Sequence, residues 1–144
     1  MKVEMIKHAG GILAPANDEE AQKLTAIKTG DQYTFEYKRM RNPHFHKKAF
    51  AFINFCFEHW AGNEFQDSKE QKETFRKNLL VLAGYREQTY KIDGSVRVEA
   101  KSMSYGAMDQ DEFESCYHAL IQAAMRHVFK TADEKTYNQL LSFF

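Results

Sequence analysis

Residues 38–60 read KRMRNPHFHKKAFAFINFCFEHW, and the change of character inside this stretch decides how the chain must be arranged. Positions 38–48 hold five Lys/Arg and two His with no acid among them, and the rest is an apolar, aromatic run. Asn42 followed by Pro43 marks a helix start: an Asn side chain accepts a free N–H of the first turn, and the N–H that proline lacks is not needed there. From that start Phe45, Ala49, Phe52, Ile53, Cys56 and Trp60 recur at helical spacing as one buried face, and Phe50 and Phe57 form a second stripe. The helix is expected to reach about Ala61 and stop at Gly62. A helix apolar over more than half its circumference needs two partners. These are its own sheet plus another helix, or its own sheet plus a second subunit, with Phe50 and Phe57 as the dimer or partner contact.

Outward from this helix the punctuation is clear. KVEMIKH is a short strand, AGGILAPA a turn and a second extended piece, and Asn17 caps a helix with Glu20 three positions on, ending near Gly30. QYTFEYKRM alternates, with Tyr33, Phe35 and Tyr37 on one face, so a strand is expected to deliver the basic residues. Ser68 with Gln71 is a capping pair before KETFRKNLLVLA, which Gly84 closes. YREQTYKIDGSVRVEAKS reads as two strands joined through Asp93-Gly94. Asp109 with Glu112 opens EFESCYHALIQAAMRHVF, and Thr131 with Glu134 opens a final short helix. The expected order is ββαβααββαα in a single domain, residues 1–144. Its class is α+β, with a small, mostly antiparallel sheet and helices packed against it.

Composition supports one folded core. The 144 residues are 43% apolar and 14% aromatic, which argues against disorder. Twenty Lys/Arg against twenty Asp/Glu leave no overall field toward nucleic acid or an anionic membrane, so any such binding needs a local patch. MKVEMIKHAGG lacks the uninterrupted apolar stretch of a signal peptide, and no later run approaches a membrane span. The expected location is cytoplasmic, without membrane contact. Cys56 and Cys116 are then reduced core thiols.

The basic stretch carries the chemistry. Positive charge at a helix N-terminus is locally unfavourable, because the backbone dipole is already positive there. Basic side chains beside free N–H groups make an anion site, and phosphate suits both. The bland alternative is a solvated loop and helix start. Tyr37 and Phe45 interleave with the basic residues, as packing groups or as surfaces on which bases stack. Cys56 with His59, and Cys116 with His118, suggest zinc only weakly, since no CxxC accompanies them. Neither metal nor cofactor is expected. Asp109, Asp111, Glu112 and Glu114 would suit a metal-dependent nuclease, but acids in a first helical turn are what the dipole favours anyway. No GxxxxGK[ST], GxSxG or HExxH is present, and nothing demands an enzyme.

The opening IKHAGGILAPA together with YKRMRNPHFHKKAFAFINFCFEHW resembles a family of small phage and prophage proteins of unassigned function. More remotely, the order of elements resembles the Orf (NinB) recombination mediators of lambdoid phages. Three features carry that likeness. They are a strand ending at Arg39 and Arg41, a basic helix start leading to Phe50 and Trp60, and KSMSYGAMDQDEFESCYHALIQ, where Ser102 and Ser104 precede Glu112 and Phe113. The resemblance implies a homodimeric binder of single-stranded DNA that helps load a recombinase and contacts a host single-strand-binding protein. Residue by residue, it puts Arg39, Arg41, Asn42, His46, Lys47 and Lys48 on DNA. The basic stretch itself adds Lys38 and His44. The rival readings are a protein-interaction module modulating a host defence or replication protein, and the nuclease.

Overall fold

The computed structural model describes residues 1–60 and 69–144, so the expected stop at Ala61 and Gly62 and the capping residue Ser68 lie outside the described residues. The chain divides into two compact units, Met1–Tyr37 and Lys38–Phe144.

In the first unit β1 (Met5–Lys7) pairs antiparallel with β2 (Leu13–Pro15). The turn between them needs Gly10 and Gly11, both at φ +81°, a conformation that costs little only without a Cβ. Asn17 caps α1 (Asp18–Lys23), its Oδ1 accepting from the Glu20 N–H at 2.9 Å. Glu20 does not complete a capping box. Its buried carboxylate accepts from the Glu4 N–H at 2.8 Å and pairs with Lys23 at 2.5 Å, so it fastens the hairpin to the helix.

The strand expected over 32–40 is not formed; residues 31–42 carry no regular structure. Alternation yields a strand only where a neighbouring strand takes up its backbone groups. Here the only ladders among the described residues are β1–β2 and that of the later hairpin. Tyr33 instead ties itself to the preceding turn, its hydroxyl accepting from the Lys28 N–H at 3.1 Å. Phe35 and Tyr37 are left at 75% and 86% exposure.

The second unit holds the main core. In α2 (Pro43–His59) Asn42 caps as its sequence requires, Oδ1 accepting from the N–H groups of His44 at 2.9 Å and Phe45 at 3.3 Å. α3 (Lys69–Leu82) ends at Gly84, φ +91°, where the Tyr85 N–H returns to the Leu80 carbonyl at 3.0 Å. β3 (Arg86–Tyr90) and β4 (Val96–Ala100) form the hairpin, turning at Gly94, φ +83°, with Asp93 Oδ1 accepting from the Ser95 N–H at 2.9 Å. Asp109 caps α4 (Gln110–His127) through the Glu112 N–H. Asp133, not Thr131, caps α5 (Glu134–Leu141), accepting from the Thr136 N–H at 2.8 Å. The class is α+β, with two two-stranded antiparallel sheets among the described residues in place of one sheet.

α2 finds its partners within its own unit, and two of them are helices. Phe45 and Phe52 meet Tyr117 of α4 edge-on at 5.2 and 5.7 Å between ring centroids. On the other side Phe57 and Trp60 meet Phe75 of α3 at 5.5 and 5.3 Å. Phe57 is therefore core, and the width of the apolar face is accounted for without a second subunit. Phe50 is half-buried against the His46 ring at 4.6 Å. The hairpin packs on α3, leaving both its strands largely exposed. Cys56 and Cys116 are free, buried thiols, and burial pushes Cys116 up to about 12 and Cys56 further.

Candidate functional site

The basic stretch divides into residues bound within the unit and residues left to solvent. Arg39 is bound: its Nη1 lies 3.0 Å from Asp111 Oδ1 and 3.4 Å from Glu114 Oε2 in the first turns of α4. The bond to Asp111 is the main cause that raises its pKa. Its carbonyl accepts from the Gln110 N–H at 3.0 Å.

Arg41 is held more completely. Nη1 donates to the carbonyls of Met103, Ser104 and Met108 at 3.0, 3.1 and 3.3 Å. Nη2 lies 2.7 Å from His46 Nδ1. Since guanidinium can only donate, that imidazole nitrogen must accept, which fixes the neutral tautomer with its proton on Nε2. The plane is covered as well, with Cζ 3.5 Å from the Phe113 centroid and 4.7 Å from that of Tyr105. His46 stacks on the same two rings at 5.5 and 4.9 Å. Burial, then the Arg41 charge, lowers the His46 pKa, and burial lowers that of Arg41.

Asn42 closes the arrangement. Its N–H donates at 2.7 Å to Oε1 of the buried Gln110, whose Nε2 donates at 3.1 Å to Glu114 Oε1. Arg39, Arg41, Asn42 and His46 thus form a junction between the start of α2 and the start of α4. Their paired groups meet carbonyls, carboxylates, the Gln110 amide and each other, while the Nε of Arg41 is buried without a hydrogen-bond partner among the described residues.

Lys38, His44 and Lys47 are exposed, and among the described residues none makes an ion pair. Lys48 is half-buried, its Nζ 5.8 Å from the Tyr117 ring. These four remain available to an anion. Before them in the chain come Phe35 and Tyr37, whose rings meet no other aromatic ring among the described residues.

Of the four acids assigned to a nuclease, three have structural roles: Asp109 caps α4, while Asp111 and Glu114 hold Arg39. Of the cysteine and histidine pairs, both thiols are buried and both His59 and His118 exposed, and no group of three His, Cys, Asp or Glu suited to a metal occurs among the described residues. Sequence reasoning missed Gln110, Met103, Met108 and Tyr105, which complete the junction. A signal was present in the charges: a basic segment without acids and an acidic helix start without bases complement one another.

A family model described as "Protein of unknown function (DUF1367)" matches residues 1–72 and 61–143. No curated protein and no solved structure matches the chain.

Proposed function

Since the chain belongs to this family of unknown function, its residues must carry the functional reading, and we propose that it is a non-enzymatic single-stranded DNA-binding protein. The observation behind the proposal is the exposure of Phe35 and Tyr37, at 75% and 86%. Chain without regular structure that leaves aromatic faces bare suits sequence-tolerant base stacking, worth about 1–3 kcal/mol per base. In sequence it continues directly into Lys38, and Lys47 and Lys48 follow on α2. The phosphate contacts fall to these lysines and His44, because Arg39 and Arg41 have internal partners. The resemblance to phage recombination mediators adds a role in phage recombination or replication. It also adds dimerisation and a host single-strand-binding protein or recombinase as partner.

Anisotropy of a labelled oligothymidylate tests the reading. Phe35→Ala and Tyr37→Ala should each weaken binding roughly 5- to 150-fold, the range that about 1–3 kcal/mol represents. Replacing Lys38 and Lys47 by Glu should reduce the slope of log affinity against log salt by about 0.7 for each phosphate that is no longer neutralised. No binding at about 50 mM salt, where phosphate contacts are strong, rejects the proposal. It would leave the second reading, a protein-interaction module. That reading is favoured by the hairpin tip, where Tyr90 is 72% exposed and Ile92 fully so.

A further inference from the structure

The hairpin has an unused edge with a definite register. Its flanking bonds, Lys91 N–H to the Ser95 carbonyl at 2.8 Å and Lys101 N–H to the Tyr85 carbonyl at 2.9 Å, fix which residues of β4 bond toward β3. In an antiparallel ladder these alternate, so the N–H and C=O of Val96, Val98 and Ala100 point away from β3. No strand of the described residues lies on that side. A groove of about 430 Å³ lies between Asn78 and Val81 of α3 and Val98, Glu99 and Ala100 of β4.

We infer that this edge pairs with the same edge of a second copy of the chain, antiparallel about Val98, making a four-stranded sheet from two hairpins. The charges select both occupant and register. Outward-pointing backbone groups on alternate residues allow two-fold pairings centred on Arg97, Val98 or Glu99 within the strand's middle. The first sets Arg97 against Arg97, the last Glu99 against Glu99. Only centring on Val98 sets each Arg97 against Glu99 of the other copy, with Val96 against Ala100, and opposite charges across strands stabilise where like charges destabilise.

Glu99 stands directly opposite Glu87, and Arg97 of its own strand pairs with it; in the Val98-centred pairing the Arg97 of the second copy adds a cross-strand partner to the same carboxylate. A two-stranded hairpin exposed on both strands is marginal in water, and further strands relieve that. An edge meant to stay single carries one sign of charge, which repels copies of itself. This one alternates. The contact is independent of DNA binding and uses no residue of α2.

Light scattering on the full chain tests it, with circular dichroism to confirm folding. The wild type should weigh twice the 16.8 kDa chain. Arg97→Glu and Glu99→Arg should each give one-chain mass, and the double exchange should restore two. Val98→Pro should also give one-chain mass with the fold retained, since the N–H it removes faces away from β3. A wild type of one-chain mass at high micromolar concentration overturns the inference. So does a two-chain mass that survives Val98→Pro or both single charge reversals.

Discussion

Arg41 lies flat on Phe113, its Cζ 3.5 Å from the ring centroid, in the same position from which it donates to three main-chain carbonyls. The face and both Nη groups of one guanidinium are therefore in use. The residue that looked best suited to grip a phosphate instead grips the turn before α4.

Arg41→Lys should then be a stability mutation. A lysine ammonium cannot serve spread carbonyls and stack on a ring together. Leaving buried acceptors without donors costs about 1–3 kcal/mol, and Ser104 is open enough to recover water. The expected loss is about 2 kcal/mol, read from the midpoint of urea unfolding. A change under about 0.5 kcal/mol, the usual range for surface substitutions, would mean that the guanidinium is not a structural group.

His46 gives the junction a pH dependence of fixed sign. Its pKa is lowered in the fold from the ordinary 6.5 by burial and by Arg41, so the unfolded chain takes the proton first. Stability from this group is present above about pH 6.5 and is lost as pH falls through that value toward the folded pKa. Denaturation midpoints at neutral and mildly acid pH, for the wild type and for His46→Gln, isolate the effect. The wild type should lose more on acidification, because the amide has no proton to gain. Parallel losses would mean that His46 does not titrate against Arg41.

Gln110→Glu should behave in the opposite way. The change removes the donor to Glu114 and sets a second carboxylate where the native amide nitrogen stands, 3.1 Å from Glu114 Oε1. Like charges that close raise one carboxyl pKa, so the variant should be less stable at neutral pH and recover as the pair takes up a proton on acidification. Thermal melts across that range check it. A deficit independent of pH would point to lost packing.

Most of the local structure was legible because its causes are local. Asn42 with Pro43, Asp93 with Gly94, and Asp109 with Glu112 each act within one turn of chain, and each is found in its expected role. The face of α2 from Phe45 to Trp60 was legible for the same reason. Tyr33, Phe35 and Tyr37 misled because alternation reports a side-chain pattern, whereas a strand also needs a neighbour. The division of the basic stretch was hidden for a third reason. Arg39 and Arg41 find partners 62 to 75 residues away, and such pairing leaves no spacing to read. Charge complementarity between segments 38–48 and 109–114 was its one trace.

The same separation has a consequence for synthesis. Met103, 62 residues beyond Arg41, supplies the first of its carbonyls, and Tyr117, which covers Phe45 and Phe52, comes later still. At about 5–20 residues per second a ribosome takes roughly 3–12 s to cover the interval to Met103. Throughout that wait the nascent chain carries α2 with the aromatic rings destined for α4 uncovered. The newborn chain therefore passes through a stage open to chaperones and to aggregation, and it closes only when α4 leaves the exit tunnel.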